Sequence, residues 1–405
     1  MTTSKVQSQS SSTQYSWQWI TLLGLLTALG PLSIDMYLPA LPEMAAQFNT
    51  TTSSISSSVP AYFLGLAIGQ LIYGSLSDRI GRKKPLYIGL VIYILGSMIC
   101  AMTANEWMLY LARVLQALGG CVGVVMARAA IRDCFDMNTS AQALAHMAMI
   151  LGIAPIIAPM VGSVLISFFS WQSIFILLSL IGIIALFCVH FFFKETLPVE
   201  RRLHLNLSQI IIMYGSIFTD SSFRTPMLAM SFFSGLMFCY ITSASALFME
   251  SFGFSQKQFA LVFGLNALGL MLFSFINSKV VRKVGPLPLL QLGGTIQLVG
   301  VILLSYVAFL KLENLHIVMF GLFLVVAAIG LTGPNATALA LSKQQQRAGM
   351  ASALIGSIQF AFGLLAGIIL HLFDGSQLQD MASAMLVYAL IGMSCVYVLR
   401  FRHRT

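Results

Sequence analysis

Long apolar runs are the feature of this sequence that most restricts its fold. A helix that crosses a bilayer needs about 20 consecutive, mostly apolar residues, and runs of that length recur along the chain with short polar connections between them. They occupy residues 17–41, 56–77, 86–104, 107–131, 141–166, 171–193, 226–249, 257–278, 287–309, 316–341, 349–372 and 381–399. The pattern predicts an all-α integral membrane protein with twelve transmembrane helices.

The composition excludes a soluble protein. Of the 405 residues, 58% are hydrophobic and only 9% are charged. Soluble globular proteins carry about 25% charged residues, so this chain has too little charge to cover a surface exposed to water. A transmembrane barrel is excluded as well, because its strands read as alternating segments of about ten residues and not as continuous apolar runs.

Lysine and arginine are distributed unevenly between the two sides of the predicted membrane protein. With both termini in the cytoplasm, 18 of the 22 basic residues fall in cytoplasmic segments, Lys257 and Lys311 fall in outer loops, and Arg113 and Arg128 lie within the fourth run. An excess of basic residues marks cytoplasmic loops. The net charge of +9 therefore reflects membrane orientation, and we expect no nucleic-acid partner.

The connection formed by residues 194–225 divides the chain into two sets of six runs, 17–193 and 226–400. After a polar start it reads LHLNLSQIIIMYGSIF, which predicts a helix lying along the membrane face. Similar basic turns follow the second run of each set, which indicates parallel repeats that enclose a site near the middle of the membrane. Two tails complete the chain: residues 1–16, rich in Ser, Thr and Gln, are expected to be disordered and cytosolic, and residues 401–405 are expected to be cytosolic.

Asp35 is the one carboxylate that lies well inside an apolar run. A charged side chain at that depth costs at least a few kcal/mol, so an acid there is by default a candidate functional group. We expect Asp35 to carry protons and to contact the substrate. The alternative is that Asp35 lies high enough to reach water at the outer surface.

Arg113 lies in the fourth run and shares a helical face with Gln116, three residues later. Because arginine stays protonated even when buried, Arg113 is expected to hold a fixed positive charge near a carboxylate that exchanges its proton. The alternative is a structural arginine bonded to loop carbonyls, since a buried charge must be paired.

The fifth run carries a stripe of small residues together with two prolines. Ala154, Ala158 and Gly162 recur at four-residue spacing, which allows another helix to approach closely. Pro155 and Pro159 remove backbone donors and bend the helix. We expect this segment to be a helix-packing motif.

The turn after the second run has a spacing that a plain basic loop does not explain. Gly74, Asp78, Arg79, Gly81 and Arg82 follow the pattern Gly-x-x-x-Asp-Arg-x-Gly-Arg. The carboxylate of Asp78 is expected to cap a helix or to pair with Arg82, Arg128 or Arg132. These residues would form a latch on the cytoplasmic side that one conformation keeps and the other breaks.

These motifs together resemble a known family. The turn from Gly74 to Lys84 resembles the signature of the major facilitator superfamily, and the segments around Arg113 and Pro159 resemble motifs of its proton-coupled drug antiporters. The segment PLSIDMYLPALP around Asp35 and the segment KETLP at 194–198 are similar to the bicyclomycin-resistance (Bcr/CflA) subgroup. The resemblance implies a bacterial inner-membrane protein that exports small antibiotics, such as bicyclomycin or phenicols, in exchange for protons.

Two positions depart from the family pattern. Ala154, Ala158 and Ser163 stand where the antiporters usually have glycine, so we expect slightly looser packing of the fifth helix. Thr27 stands where some drug antiporters have a second acid, two turns inward of Asp35, which argues against a mechanism with two carboxylates.

Sparse uncharged polar residues among Phe and Met are expected to line the substrate cavity. The candidates that accompany Asp35 are Tyr62, Gln70, Gln116, Tyr240, Asn266, Asn335 and Gln359. With one acid and one base in such a cavity, we expect a neutral or monocationic cargo.

The expected partners are a small amphiphilic drug, protons and the lipid bilayer, with the chain acting as a monomer that has no cofactor and no metal. The main alternative is a proton-coupled transporter of a small metabolite. A polytopic membrane enzyme is a second alternative, but it would need clustered acids to bind a metal and diphosphate, and no such cluster stands at the end of a run.

Overall fold

The computed structural model describes residues 17–135, 137–202, 206–312, 314–344, 347–373 and 375–402. The predicted tail 1–16 and residues 403–405 of the second tail lie outside the described residues. Throughout the described ranges the secondary structure is helical. Twelve helices are long and apolar enough to cross a membrane, so the predicted all-α architecture and the predicted number of spans are confirmed.

The spans, numbered 1 to 12 below, are Gln18–Gln47, Thr52–Ile80, Lys83–Ala101, Glu106–Cys134, Gln142–Phe168, Gln172–Phe192, Ser221–Ser251, Gln256–Val284, Pro286–Phe309, Leu315–Leu341, Ala348–Leu370 and Gln377–Phe401. Span 5 belongs to a longer helix, Met137–Phe168. Span 4 consists of the helices Glu106–Gly120 and Val122–Cys134, which meet at Cys121. Span 10 likewise consists of Leu315–Ala327 and Ile329–Leu341.

Several helices begin before the apolar runs that predicted them, because side-chain caps and not hydropathy decide where a helix starts. Span 2 begins at Thr52, where the Thr51 hydroxyl accepts a hydrogen bond from the Ser54 backbone N–H at 3.1 Å. Span 7 begins at Ser221, where Asp220 accepts from the Ser222 N–H at 2.9 Å. Such caps stabilise a helix end by about 1 kcal/mol each.

A shorter helix, Leu207–Thr219, lies in the connection between spans 6 and 7. The Asn206 N–H donates to the Gln209 side chain at 2.9 Å, which completes a capping box at its start. Ile210 and Ile217 are buried, whereas Ile211, Ile212 and Phe218 are exposed. The helix predicted within this connection is therefore confirmed, and its placement on the membrane face remains a prediction.

Span 1 is interrupted close to Asp35. Its long helix ends at Asp35, a 3-10 turn follows at Leu38–Ala40, and a short helix continues over Leu41–Gln47. Pro39 and Pro42 lack the N–H groups that an uninterrupted helix would use, which explains the break. The break places Asp35 at a helix end.

Spans 2 and 11 are packed together along most of their length. At the ends away from the basic turn 79–84, Gly367 contacts the Pro60 ring and the Ser57 hydroxyl lies 2.8 Å from His371 Nε2. Further in, the Phe63 ring of span 2 lies 4.5 Å from the Phe238 ring of span 7, which also belongs to the second half. We call the face with the basic turn the basic face. On the opposite face the two halves of the chain are in contact.

The small-residue stripe of span 5 brings that helix directly onto span 1. A Cβ placed on Gly162 would collide with the carbonyl oxygen of Met36, the residue after Asp35. Span 5 therefore approaches the backbone beside Asp35 more closely than any side chain at position 162 would allow. This contact holds the interrupted end of span 1 in place.

We predict that Gly162→Ala lowers the stability of the folded protein, because the added methyl group forces spans 1 and 5 apart. Overpacking of this kind costs about 1–3 kcal/mol. Gly30→Ala in span 1 is the matched control, since nothing lies within 4 Å of a Cβ at Gly30, and it should be neutral or slightly stabilising. Thermal unfolding in detergent measures both variants, and equal midpoints would contradict the close contact.

Candidate functional site

Asp35 is buried, with only 4% of its surface exposed. Its carboxylate makes no hydrogen bond or ion pair with any other described residue. The Tyr240 hydroxyl, from the second half of the chain, lies within electrostatic range of Asp35. An unpaired buried carboxylate is costly when ionised, so protonation is the simplest way for this site to lose its charge.

Tyr240 belongs to a small polar group in the second half of the chain. Its hydroxyl accepts a hydrogen bond from Asn266 Nδ2 at 2.9 Å, and its ring stacks on Phe263 with the centroids 5.4 Å apart. Asn266 is also buried. Two of the predicted substrate residues are thus brought together, and Tyr240 lies near Asp35.

Arg113 is fully buried and lies between aromatic rings. The centre of its guanidinium lies 4.3 Å from the Tyr37 ring centroid and 4.2 Å from that of Tyr62. Cations are attracted to aromatic faces at such distances, more strongly when water is excluded. Tyr37 comes from span 1 and Tyr62 from span 2, so three spans meet at this cation.

One hydrogen-bond chain leads from Arg113 through its neighbours. Its Nη1 donates to Gln116 Oε1 at 2.6 Å, and Gln116 Nε2 donates to Ser97 Oγ at 2.9 Å. The Nε and Nη2 atoms of Arg113 and the Tyr62 hydroxyl make no hydrogen bond within the described ranges. Gln116 is therefore a partner of Arg113, and both lie outside the cavity described below.

Asp35 and Arg113 form no ion pair in the described structure. Tyr37, two residues after Asp35, covers one face of the guanidinium. The cation is thus held near the proton-carrying candidate by an aromatic ring. It is not bound to loop carbonyls, as the structural alternative required.

A cavity of about 730 Å³ opens on the basic face. Spans 2, 4, 5, 7, 10 and 11 line it, so both halves of the chain contribute walls. Apolar side chains such as Val125, Leu144 and Met230 form much of the lining. Its volume lies within the range typical of small-molecule sites, about 300–1,000 Å³.

Only part of the predicted polar lining faces this cavity. Gln70 and Gln359 line it, and Gln359 Nε2 also donates to Ser234 Oγ at 3.0 Å. Asn335 donates instead to Asn277 Oδ1 at 2.6 Å and to the Leu331 carbonyl at 2.7 Å, within the second half. The predicted residues that do not line it are Asp35, Tyr62, Gln116, Tyr240, Asn266 and Asn335.

The turn on the basic face is organised around Arg82, which is 2% exposed. Its Nη1 donates to Asp78 at 2.6 Å and to Ser77 Oγ at 2.7 Å, and its Nε donates to Asp133 at 2.8 Å. Although burial acts to lower the pKa of Arg82, its bonds to Asp133 and Asp78 outweigh burial and raise it. Of the three partners predicted for Asp78, the structure selects Arg82.

Glu195 closes the same turn from the connection after span 6. Its carboxylate accepts from the backbone N–H groups of Arg82 at 2.8 Å and Lys83 at 3.1 Å, at the start of span 3. Gly81, at φ +94°, has the left-handed conformation that favours glycine, and a Cβ there would collide with Glu195. Burial acts to raise the pKa of Glu195, but the N–H donors and nearby Arg202 lower it overall.

The remaining basic residues of the predicted latch occupy different positions. Arg79 is exposed on the turn. Arg128 and Arg132 both line the cavity, and Arg132 contacts Gly349 near the start of span 11. Neither has a hydrogen-bond or ion-pair partner within the part of the chain that the structure describes.

Two acids of the turn escaped prediction. Asp133 directly follows Arg132, and Glu195 lies in the polar segment after span 6. In the sequence, each resembles the solvent-exposed acids common near helix ends. Their distance along the chain from Arg82 gives no indication that they contact it. Among the described residues, no group of three His, Cys, Asp or Glu side chains could hold a metal ion.

Comparison with known proteins gives consistent matches over most of the chain. The family model described as Major Facilitator Superfamily matches residues 23–369. The chain is 32% identical over 373 residues to an uncharacterised MFS-type transporter, YdgK, of Bacillus subtilis, with 92% of each chain covered. It is 30% identical over 368 residues to a bicyclomycin resistance protein homolog of Haemophilus influenzae, with 91% of each covered.

Two further matches agree with these. The multidrug resistance protein MdtL of Salmonella dublin is 30% identical over 376 residues, with 92% of each chain covered. Among solved structures, the human organic anion transporter MFSD10 (TETRAN) superposes with a TM-score of 0.70 at 16% identity, covering 96% of this chain and 100% of that one. At that identity the structural match concerns the fold alone.

We predict that Glu195→Gln lowers the free energy of unfolding at neutral pH by about 1 kcal/mol. The effect is smaller than for a buried carboxylate because Glu195 is exposed to solvent. The pKa of Glu195 is held below its ordinary value of 4.5, so the stabilisation is present above that pH and is lost as the pH falls below it. Unfolding midpoints in detergent at neutral and acidic pH measure the difference. Glu200→Gln, an exposed acid of the same connection, is the control, and a difference that persists at acidic pH would contradict the assignment.

Proposed function

This chain is a member of the Major Facilitator Superfamily, and we propose that it exports small drugs from the cytosol across the bacterial inner membrane in exchange for protons. As a multi-pass membrane transporter it is not an enzyme. The observation that carries the proposal is the buried carboxylate of Asp35, which lies near Tyr240 of the second half and has no hydrogen-bond or ion-pair partner among the described residues. The relatives named for bicyclomycin and multidrug resistance support a drug as the cargo.

The proposed organisation follows the family. Residues 17–193 and 226–400 form two six-helix bundles, joined by the connection 194–225 on the cytoplasmic side. The basic face is then the cytoplasmic face, and both termini lie there, in accord with its excess of lysine and arginine. The cavity opens to the cytoplasm while the opposite face is closed, as expected for a protein that receives its cargo from inside.

In the proposed cycle, Asp35 carries one proton inward for each drug moved outward. When the bundles rock and open to the outside, Asp35 takes up a proton, and after the return it releases that proton toward the cytoplasm. Arginine stays protonated even when buried, so Arg113 supplies a fixed positive charge, which the rings of Tyr37 and Tyr62 stabilise. Motion of span 1 carries both Asp35 and Tyr37, so the position of the acid is coupled to the cation.

The turn around Arg82 is the proposed latch of the cytoplasmic side. One turn before Asp78, Gly74 lies against span 11, where a Cβ on Gly74 would be 3.1 Å from the Ala353 methyl group. The ion pairs of Arg82 with Asp78 and Asp133 hold the end of span 2 against the end of span 4. Loosening them changes the balance between the two conformations.

The alternative function, transport of a small metabolite with protons, uses the same fold and the same acid. It differs only in its cargo. The resemblance to drug-resistance proteins favours a drug over a metabolite as that cargo. A growth-inhibition panel in a pump-deficient strain, with and without this chain, separates the two.

We predict that Asp35→Asn abolishes proton-coupled export and leaves the fold intact, because the amide has nearly the same volume and cannot bind and release a proton. Drug-dependent proton flux in membrane vesicles measures this. Glu250→Gln, the same chemical change at an exposed acid near the end of span 7, should behave as the unmodified chain. Full resistance from Asp35→Asn at normal expression would rule out Asp35 as the coupling group.

We predict that Asp78→Asn slows turnover several-fold and changes drug affinity less than about twofold. Asp78 lines the cavity, but its carboxylate is bonded to Arg82 and is not free to bind the drug, so its loss acts mainly on the balance between the two conformations. Drug binding in detergent and transport in vesicles give the two numbers. A large loss of affinity with normal transport rates would place Asp78 in the drug site and contradict the latch.

We predict that export of a neutral drug depends on the membrane potential. One proton in for one neutral drug out moves one positive charge inward, so the potential contributes about 2.3 kcal/mol per 100 mV, equivalent to a drug gradient of roughly fortyfold. Collapsing the potential with potassium and valinomycin at constant pH gradient should slow export of a neutral phenicol clearly. An unchanged rate would contradict an exchange of one proton for one drug.

A further inference from the structure

Arg128 is the basic residue of span 4 that the turn around Arg82 does not use. It lies six residues before the end of the span, about 9 Å along the helix. Its side chain is exposed and lines the cavity. An ionisable residue inside a membrane span that faces a cavity is by default a functional group.

The other deeply placed arginines have partners, and Arg128 has none among the described residues. Arg82 is bonded to two carboxylates, and Arg113 is bonded to Gln116 and covered by two rings. Arg128 makes neither kind of contact, so its charge is left facing the cavity. A structural arginine would donate its five N–H groups to protein acceptors, which Arg128 does not do.

Among the described residues, the charged side chains that line the cavity, counted together with Asp133, leave it positive. Asp78 and Asp133 together neutralise Arg82 and leave one negative charge, whereas Arg128 and Arg132 contribute two positive charges. Ala348 and Gly349, the first residues of the helix Ala348–Leu370, also line the cavity, and the start of a helix carries partial positive charge. Low-dielectric walls focus such a field within the cavity.

We propose that, besides neutral drugs, the cavity accepts cargo that carries an anionic group, a carboxylate, sulfonate or phosphate, which Arg128 binds. Arginine matches these groups geometrically because its planar guanidinium donates two parallel hydrogen bonds to them. The proposal rests on the proposed export function and names its cargo class. It departs from the neutral or monocationic cargo expected from the sequence, because neither Asp35 nor Arg113 lines this cavity.

The field in the cavity is measured without knowing the cargo. Ser352, a partly buried residue of span 11, lines the same cavity, and Ser352→Cys introduces a reporter thiol. The rates of its modification by the anion sulfonatoethyl methanethiosulfonate and the cation trimethylammonioethyl methanethiosulfonate are followed on the reporter peptide by mass spectrometry. Because both reagents react with the thiolate, their rate ratio cancels the thiol's own ionisation and reports the potential.

The anion-to-cation rate ratio at the reporter should exceed the ratio for a free thiol in solution, and Arg128→Gln should lower it about tenfold. Arg128→Lys, which keeps the charge, should retain the ratio. Lys84→Gln removes an exposed charge on the same face and should change the ratio less than about twofold. A reporter ratio at or below the solution value, or one that Arg128→Gln leaves unchanged, would overturn the proposal.

Binding is tested by protection of the same reporter with two dyes of similar skeleton and opposite charge. Fluorescein, an anion, should slow modification of the reporter, and Arg128→Gln should remove that protection while Arg128→Lys keeps part of it. Rhodamine 123, a cation, should protect less. Equal protection by both dyes, or none by fluorescein, would contradict an anion site, and neither result depends on whether Asp35 couples export to protons.

Discussion

A charge inside a membrane protein must be neutralised, paired or hydrated, and this requirement organises the structure. Arginine stays protonated even when buried, and the fold surrounds Arg113 with two aromatic rings and the Gln116 amide. Asp35 can gain a proton, and it is left without a polar partner among the described residues. The two buried groups are thus accommodated in opposite ways. Arg113 is stabilised by fixed contacts, whereas Asp35 can gain and lose a proton during the proposed cycle.

The position of Asp35 depends on backbone features and not on side-chain bonds. Prolines interrupt span 1 just after Asp35, and Gly162 of span 5 packs on the carbonyl of Met36. The acid therefore sits at a helix end clamped by a neighbouring span. The basic face holds two arginines in different surroundings. Arg82 donates hydrogen bonds to Asp78, Asp133 and Ser77, whereas Arg128 lines the cavity and has no hydrogen-bond or ion-pair partner among the residues that the structure describes. The ionic cluster around Arg82 and the side chain of Arg128 line the same cavity.

Features that depend on composition along the chain could be predicted from the sequence, and features that depend on how distant segments meet could not. Hydropathy located the twelve spans, and the scarcity of intramembrane acids indicated Asp35. The contact of Asn335 with Asn277 could not be foreseen, because hydropathy does not specify how spans 8 and 10 are rotated. The contact of the Tyr37 ring with Arg113 and that of the Glu195 carboxylate with the Arg82 backbone could not be predicted for the same reason, because each joins separate segments of the chain. The lining of the cavity depends in addition on which face of the transporter is open.

The most direct test of the account counts the protons that a bound drug displaces. Purified protein in detergent and weak buffer is titrated with an exported neutral drug across a pH series, and a pH-sensitive dye records proton release. With Asp35 as the single coupling carboxyl, the release should reach at most about one proton per bound drug, and Asp35→Asn should bind drug without releasing any. Equal proton release by the unmodified chain and by Asp35→Asn would contradict the central role of Asp35.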